Sequence, residues 1–558
     1  MSASAHRRAI APRYDVVVLG SGAAGLTAAL AASHAGAAVA VFEKAHVVGG
    51  TTAMSGGVAW LPNNPVAARE GIEDNAADAL RYLASLSNGS MHDAGVRAFV
   101  ETVPELVDWL ERDAGMTLRL CTIPDYHPEH PGARPRSGRS LESELVAFSA
   151  LGEWADHVAT GQYSDPETGD VYMMSGETPR GGGSGKLNED EAQHRRVERV
   201  NGRGRALAGG LLKACLDAGV DLHRLVAAKD LVRTDGRITG VTIEVDGVLR
   251  TVEARRGVII ATGGFEWDAD LVKAFLRGPM AHPTSIPTNT GDGLRMAMKQ
   301  GAMLGTMREA WWVPVLLPPG KTGWGHPRTS LVLRERSLPG AVMVNQAGRR
   351  FCNEAGNYNA LGGAFHQLDP NSFTYANLPC WLVFDQVYWE RYGMWELAPG
   401  SAVPDWIARG ETPQALAEAI AVDADGLADT LGRWNDQVAA GSDDDFHRGD
   451  SAYDGWNGDI SHYPDHASTL GSVAIAPFYA VELHSSTLGT KGGPMTDVDG
   501  AVIDVDGRPI AGLYAAGNAA AGVTGMAYGG AGGTLGPAMV FGYRAGRKAA
   551  AERPNTQE

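Results

Sequence analysis

Residues 14–44 read YDVVVLGSGAAGLTAALAASHAGAAVAVFEK. A β-branched run from Tyr14 leads into a glycine-rich turn, an alanine-rich stretch that ends near Gly36, and a second apolar run that closes on Glu43. This succession predicts a strand, a helix and a second strand. The segment is therefore predicted to form a βαβ unit, which places the chain in the α/β class (α+β overall).

The turn between the strand and the helix has the spacing GxGxxG, and an acidic residue follows about 20 residues later. In such a turn Gly20 permits the tight bend, Gly22 lets backbone N–H groups approach a pyrophosphate, and Gly25 lets the helix pack on the sheet. Glu43 would accept hydrogen bonds from the ribose hydroxyls. The predicted cofactor contacts in this unit are Gly20, Gly22, Ala23, Ala24, Gly25, Glu43 and Lys44.

Three later stretches separate a flavin dinucleotide from a nicotinamide one. The sequence GGTTAMSGG at 49–57 supplies backbone and hydroxyl donors where a flavin pyrophosphate and ring would continue, and strand–turn signals recur at 261–264 and 512–518. They predict FAD. The contacts predicted from these stretches and from the last glycine-rich stretch are Gly50, Thr51, Thr52, Ser55, Gly56, Gly57, Thr262, Gly263, Gly517, Asn518 and Leu535.

Length and charge narrow the function further. A chain of 558 residues is expected to form two domains or three, and its 72 glycines suit many tight turns. The net charge of −17 argues against nucleic acid and favours an uncharged substrate. The four cysteines have no zinc-finger spacing, so no metal site is predicted and a cytoplasmic location is expected.

The rest of the chain has recognisable segments. Residues 65–115 and 201–218 have helical patterns, and 226–262 alternates around two Asp-Gly hairpin signals. Residues 151–193 are rich in Gly, Pro and acids, which predicts an exposed insertion, with a lid or a flap in peripheral contact with a membrane as the alternative. No stretch approaches the ~20 apolar residues of a membrane helix, and Arg7-Arg8 is not interpreted as an export signal.

The three glycine-rich stretches together resemble the FAD-dependent flavoprotein superfamily of fumarate reductases and succinate dehydrogenases. The resemblance implies a Rossmann-like FAD-binding domain at 1–319 and 489–558, with an inserted α+β catalytic domain at 320–488. Family members that bind flavin covalently carry a His in the loop after the Gly-Gly pair. That loop is Thr51-Thr52-Ala53-Met54 here, so non-covalent FAD is implied.

The C-terminal motif is similar to that of the 3-ketosteroid Δ1-dehydrogenases (3-oxosteroid 1-dehydrogenases). It reads YGGAGGTLGPAMVFGYRAG at 528–546, and the strings LGTKGG, AWW, PDYHP and RFCNE agree with it. By this resemblance Tyr528 and Gly532 hold the substrate carbonyl oxygen, Tyr358 takes a proton, and Tyr126 supports it. Fumarate reductases carry an Arg where this chain has Thr534, so a dicarboxylate would lose its counter-charge.

The implied reaction desaturates the C1–C2 bond of a 3-ketosteroid. A base takes the proton alpha to the ring ketone, and a hydride leaves the beta carbon for flavin N5. Two preorganised donors would stabilise the enolate. Because tyrosine has a pKa near 10, a tyrosine base predicts a rate that climbs toward alkaline pH. The electrons would then pass to a quinone-like or other acceptor, since the chain has one dinucleotide fingerprint.

Several alternatives stay open at the sequence level. Gly529-Gly530 stands where the steroid enzymes commonly have a Pro after the Tyr, which predicts a looser loop and leaves a smaller cyclic ketone as the next candidate. An alkene reductase of the fumarate reductase type and a flavin-bearing binding protein without turnover are the remaining ones. Trp311, Trp312 and Trp324 are candidates for an apolar cleft or for core packing. Lys491 is a candidate flavin or phosphate partner, or a structural residue.

Overall fold

The first βαβ unit forms as predicted in the computed structural model, which describes residues 9–178, 185–463 and 465–554. Its elements are the strand Arg13–Leu19, the helix Ala23–His34 and the strand Val39–Glu43. The two strands pair in parallel, and Arg13–Leu19 also pairs in parallel with Val248–Ile260. Because both faces of this central strand are covered, its residues are a continuous apolar run rather than an alternating one.

The larger sheet has eight strands within the described ranges. The predicted cofactor-binding turns follow parallel strands of this sheet and therefore lie at the same end of it. The order is Ala501–Ile503, Pro509–Ala515, Val248–Ile260, Arg13–Leu19, Val39–Glu43 and Asp221–Arg224. Ala227–Thr234 and Arg237–Val245 extend it as an antiparallel meander with Val248–Ile260, so both predicted Asp-Gly hairpins are confirmed. The fold is the predicted mixed α/β arrangement.

Helices cover the sheet. Ala23–His34 packs against Leu535–Ala551 and Arg203–Asp217, and the predicted helical region contains Pro65–Arg69, Ala76–Leu86 and Asp93–Arg112. The helices Ala23–His34 and Leu535–Ala551 pack closely because two glycines of the second helix face the first helix. A Cβ at Gly542 would lie 2.5 Å from the carbonyl oxygen of Ala24, and one at Gly546 would overlap that of Ala28.

A second, antiparallel sheet of six strands lies between residues 310 and 490 in the described part of the chain. Phe478–Thr490 pairs with Ala310–Leu316, Cys380–Asp385 and Ala408–Gly410, while Ser330–Leu331 and Ala341–Val344 lie at its edges. Its helices are Leu361–Phe365, Gln386–Tyr392, Pro413–Ile420, Ala424–Ala440 and Ala452–Asn457. The domain boundaries at 320 and 488 stay predictions.

The other elements are short and connect these layers. The helices and helical turns are Gly50–Met54, Phe148–His157, Ser175–Glu177, Glu189–Val197, Ala269–Phe275, Asp292–Lys299, Asp465–Ser468 and Gly517–Ala519. The strands are Val58–Trp60, Leu118–Leu120, Ser140–Ser143, Val146–Ala147, Val200–Asn201, Leu304–Gly305, Thr322–Gly323, His326–Pro327, Leu368–Asp369, Thr374–Tyr375 and Gly493–Pro494. None of the described helices is long and apolar enough to cross a bilayer.

The segment 151–193 is only partly exposed, which corrects the sequence-based prediction for this region. Val158 forms a bridge with Val48, and Val158, Asp170 and Val171 are buried. The Asp170 carboxylate lies 3.3 Å from the guanidinium of Arg205, and both side chains are 2% exposed. Residues 179–184 of this segment lie outside the described ranges. The composition predicted the loops correctly, but it carried no signal for the packing of those loops against the cofactor side of the molecule.

Candidate active site

A cavity of about 1250 Å³ extends from the glycine-rich turn of the first βαβ unit to the second sheet. The cofactor contacts predicted from sequence lie in its wall with one exception, and the four predicted catalytic residues do as well. The exception is Gly25, whose Cβ would overlap the carbonyl oxygen of Gly20. Gly25 therefore lets the helix approach the turn closely, and it lies behind the cavity wall rather than in it.

The turn itself requires glycine. Gly20 has φ +102°, in the left-handed region, and a Cβ there would overlap the carbonyl oxygen of Ala261, the residue after the neighbouring strand. The Glu43 carboxylate is held from both sides, since it accepts hydrogen bonds from the Ser21 hydroxyl at 2.7 Å and from the Ala45 N–H at 2.8 Å. The Ser21 N–H donates to the same carboxylate oxygen as the Ser21 hydroxyl, at 3.1 Å.

The cavity wall fits the dinucleotide part of FAD. The helix Ala23–His34 presents its N-terminus there, which favours phosphate. The buried Thr262 hydroxyl has no hydrogen-bond partner among the residues the structure describes, although buried hydroxyls normally have one. A Cβ at Gly56 would meet nothing within 4 Å, so the loop after the Gly-Gly pair leaves open space beside it.

Two residues near the adenine end of the fingerprint have protein partners. The Lys44 ammonium lies 2.6 Å from the Asp292 carboxylate and 2.7 Å from the Thr290 hydroxyl. His46 is exposed, and its ring packs 5.5 Å from the ring of Trp324. Trp324 thus lies toward the cofactor end of the cavity, whereas Trp312 is buried against His366.

Four tyrosine rings meet at the other end of the cavity. The hydroxyl of Tyr126 donates to that of Tyr358 at 3.0 Å. The ring of Tyr126 lies 5.0 Å from that of Tyr528 and 4.9 Å from that of Tyr453, all in edge-to-face contact. The fold thus brings together the three tyrosines that the sequence proposed, which are separated by up to 402 residues (528 − 126) along the chain.

Tyr453 is the member that sequence reasoning missed, because no glycine-rich or family motif surrounds it. The Thr534 hydroxyl, 3.4 Å from that of Tyr528, was noted only as the replacement of an Arg. No residue of the segment 160–178 was predicted for the site, although a lid was the alternative for this region; Gln162, Tyr163 and Thr178 lie in the cavity wall. Its Gly- and Pro-rich composition predicted loops but gave no signal for their neighbours.

Tyr528 and Gly532 lie together, as the motif predicted. Burial raises the pKa of Tyr528, and the Thr534 hydroxyl, the Tyr358 hydroxyl and the main chain of Gly532 oppose that shift. Gly532 has φ +91°, and a Cβ there would overlap the carbonyl group of Val58. The backbone at 532 therefore approaches the Tyr528 hydroxyl in a conformation that only glycine adopts without strain.

The loop that carries Tyr126 is fixed by a buried carboxylate. Asp125 accepts from the Trp60 indole and from the Arg139 guanidinium, each at 2.8 Å, and Arg139 in turn bonds Asp74 at 2.8 Å. The next residue of the loop, His127, contacts the Asn357 amide at 3.3 Å. Since Asn357 precedes Tyr358, this contact ties the two tyrosine loops directly.

The loop that carries Tyr358 rests on a second buried ion-pair group. The Glu354 carboxylate lies 2.8 Å from Arg350 and 3.3 Å from Arg448, and Arg350 also bonds Asp443 at 2.8 Å. These arginines hold the pKa of Glu354 below its usual value even though burial opposes them. The Met343 N–H of strand Ala341–Val344 also donates to Glu354 at 3.1 Å, so the backbone before Tyr358 is anchored to the second sheet.

The Gly529-Gly530 pair after Tyr528 is not a loose linker. The Gly529 carbonyl accepts from the Tyr82 hydroxyl at 2.7 Å and from the Tyr126 N–H at 3.0 Å. A Cβ at Gly529 would lie 3.0 Å from the Trp60 ring, and one at Gly530 would overlap it. The predicted looseness is wrong, because the glycines serve close packing on an indole rather than flexibility.

Comparison with known proteins places this chain in a family. Residues 15–535 match the FAD binding domain family. The chain is 41% identical to the 4-oxocyclohexanecarboxylate 2-dehydrogenase of Sinomonas cyclohexanicum, covering 97% of this chain and 93% of the relative. It is 37% identical to the 3-oxosteroid 1-dehydrogenase of Mycolicibacterium smegmatis, covering 95% of this chain and 96% of the relative.

A solved structure superposes on nearly the whole of this chain. The 3-ketosteroid Δ1-dehydrogenase from Sterolibacterium denitrificans, in complex with 1,4-androstadiene-3,17-dione, superposes with a TM-score of 0.88 at 34% identity. The superposition covers 97% of this chain and 100% of that one. The chain belongs to the family of FAD-binding flavoproteins. It is an FAD-dependent oxidoreductase, and the predicted cofactor, FAD, is confirmed.

Proposed function

We propose that this protein desaturates a cyclic ketone at the carbon–carbon bond next to its carbonyl group. The observation that carries the proposal is the group of Tyr126, Tyr358 and Tyr528 in the same cavity wall as the FAD-binding turn. Bound FAD would supply the acceptor for the hydride that leaves the beta carbon. The absence of a His in the Thr51–Met54 loop favours non-covalent binding.

In this proposal the Tyr528 hydroxyl and the Gly532 N–H hold the ketone oxygen. Negative charge develops on that oxygen as the alpha proton leaves, and each preorganised donor of this kind contributes roughly 3 kcal/mol in a dry site. Tyr528 is buried, Gly532 is half-buried, and the two lie close to each other, so they need little rearrangement. The Thr534 hydroxyl, 3.4 Å from that of Tyr528, helps to orient it.

Tyr358 takes the alpha proton in the same proposal. Burial raises the pKa of Tyr358 well above its usual value, with the phenols of Tyr126, Tyr528 and Tyr453 adding to the shift, so a free phenolate is scarce at neutral pH. A hydroxyl both donates and accepts. The Tyr126 hydroxyl can therefore donate to the Tyr358 oxygen, 3.0 Å away, while that oxygen, in its phenolate form, takes the proton of the substrate.

A steroid that carries a 3-keto group, desaturated at C1–C2, is the first substrate candidate. Apolar side chains line the catalytic half of the cavity and suit a fused-ring hydrocarbon body. They are Ile123, Leu331, Leu333, Trp456, Leu488 and Ala531. A smaller cyclic ketone with a carboxylate is the second candidate, because the relative with 41% identity is named for such a compound.

The experiment is anaerobic mixing of the FAD-loaded protein with a 3-ketosteroid and, separately, with 4-oxocyclohexanecarboxylate. Loss of flavin absorbance near 450 nm, an order-of-magnitude marker of hydride transfer, identifies the substrate. Tyr528→Phe is expected to slow the bleaching by about 100-fold or more. The matched control is Tyr543→Phe, which removes a hydroxyl that bonds Glu105 outside the cavity.

Bleaching by one ketone, followed by a product with a new ring double bond, would support the proposal and select its substrate. Full-speed bleaching of Tyr528→Phe by every ketone would contradict it. Electrons must then leave the reduced protein, and we propose a quinone-like or other small acceptor, tested by reoxidation of the bleached protein.

A further inference from the structure

A lysine is buried next to the tyrosine cluster, outside the wall of the large cavity. Lys491 is 1% exposed. Its ammonium donates to three consecutive carbonyl oxygens, those of Gly525, Met526 and Ala527, at 3.2, 3.1 and 2.9 Å. The next residue after this turn is Tyr528. One side chain therefore fixes the three peptide units that lead into the proposed ketone-binding residue.

The same ammonium reaches Tyr528 by a second route. It lies 4.0 Å from the ring centre of Trp311 and 6.0 Å from that of Tyr528. The Trp311 ring packs on edge against Tyr528 at 4.8 Å, and its indole N–H donates to Asn518 at 3.0 Å. Cation–π contacts of a desolvated ammonium are strong ones. Lys491 thus holds both the turn before Tyr528 and the indole that supports its ring.

The charge state of Lys491 is under competing influences. Burial lowers its pKa to about 7, the Glu309 carboxylate opposes the lowering, and Arg277 adds to it. Arg277 and Glu309 form an ion pair of 3.3 Å with each other. The three carbonyl oxygens favour the protonated form, since they bond to its N–H groups.

We propose that Lys491 is a positioning residue, which holds the Tyr528 hydroxyl at the place where the ketone oxygen binds. The expected effect on catalysis rests on the proposed function. The expected effect on the position of the Tyr528 hydroxyl does not. A sub-ångström displacement of the hydroxyl weakens the stabilisation of a developing charge more than the binding of a neutral ketone. Loss of the ammonium should therefore lower kcat more than it raises KM.

The test uses the holoenzyme with Lys491→Met, which keeps the chain length and removes the charge, and Lys491→Arg, which keeps the charge. We expect kcat per bound flavin to fall by about 10-fold to 100-fold in Lys491→Met, with KM changed less than about threefold. Lys491→Arg should recover part of the loss. Lys213→Met, an exposed helix lysine paired with Asp217, is the control and should behave as wild type.

A double-mutant cycle separates positioning from plain stability. If Lys491 acts through Tyr528, the variant that combines Lys491→Met with Tyr528→Phe should lose no more than Tyr528→Phe alone. Losses that multiply would overturn the inference, and so would a kcat per flavin of Lys491→Met within twofold of wild type. Should Lys491→Met fail to fold, Trp311→Phe enters the same cycle and is judged by the same criterion.

The inference and the proposed function can fail separately. The binding of 4-cyanophenol is measured through the change that it causes in flavin absorbance. Its affinity is expected to report the position of the Tyr528 hydroxyl without turnover. Weaker binding in Lys491→Met, with no further weakening in the double variant, supports the inference even if no ketone bleaches the protein and the proposed function is lost. Unchanged binding in Lys491→Met, together with weaker binding in Tyr528→Phe, overturns it.

Discussion

Among single residues, Tyr358 determines the expected pH dependence. Burial, together with Tyr126, Tyr528 and Tyr453, raises its pKa well above the usual value. Because the raised pKa lies above the assay range, the base form of this phenol becomes more abundant at every step toward alkaline pH. We expect the anaerobic bleaching rate to climb between about pH 6 and pH 10. A flat profile in stopped-flow measurements would count against a tyrosine base.

Gly532 gives a second prediction at this scale. Gly532→Ala places a Cβ on the Val58 carbonyl group at φ +91°. The left-handed conformation alone costs an alanine roughly 1–2 kcal/mol, and the overlap adds to it. We expect the free energy of unfolding to fall by at least about 2 kcal/mol and activity to be lost.

The matched control for that substitution is Gly363→Ala, at which a Cβ would meet nothing within 4 Å. Urea unfolding of both variants measures the difference. Equal stability of Gly532→Ala and Gly363→Ala would show that the backbone at 532 is not constrained in the way described here.

The site residues that sequence could predict are those embedded in motifs. Tyr126, Tyr358 and Tyr528 each stand in a recognisable string, and the structure brings them together. Tyr453 stands in none, and its place depends on the packing of distant loops. The Gly529-Gly530 pair was misinterpreted because a sequence shows the missing side chains but does not show the Trp60 ring that occupies their space.

Among the elements, the segment 158–178 depends on a buried ion pair. The Asp170 carboxylate lies 3.3 Å from the Arg205 guanidinium, and each side chain is 2% exposed. Asp170→Asn leaves the guanidinium buried without its counter-charge, which typically costs about 3–5 kcal/mol. We therefore expect the free energy of unfolding to fall by at least about 3 kcal/mol, measured by denaturant titration.

Asp217→Asn is the comparison for that prediction. Asp217 forms an exposed ion pair with Lys213, one turn away on the same helix. Loss of this pair should lower the free energy of unfolding by less than about 0.5 kcal/mol. Similar effects of the two substitutions would mean that solvent reaches Asp170.

Element existence followed from the sequence more readily than element packing. The two hairpins and the helices of 65–115 have strong local periodicity, whereas the βαβ unit has apolar runs divided by a glycine-rich turn, and all of them form where the pattern puts them. The segment 151–193 has turn composition without periodicity. Such composition predicts loops, but the bridge from Val158 to Val48 is a long-range contact for which local residues carry no signal.

At the scale of the whole molecule, FAD should stabilise the fold, because the cavity wall draws on both ends of the chain. A ligand that binds only the folded state at about 100 times its Kd adds roughly 2.7 kcal/mol. We expect the protein stripped of flavin to regain about this much on addition of FAD, measured by denaturant unfolding. NAD, which lacks the flavin, is the control, and equal stabilisation by NAD would contradict the cofactor assignment.

The layer order of the larger sheet has a consequence for biosynthesis. Strand Pro509–Ala515 completes the sheet beside Val248–Ile260, and Tyr528 and the last helix follow it. During synthesis the edge of strand Val248–Ile260 therefore stays open until Pro509–Ala515 has left the ribosome. Truncation near the C-terminus should yield aggregates in the cell rather than a smaller working enzyme, and chaperones would have to protect the unfinished edge during translation.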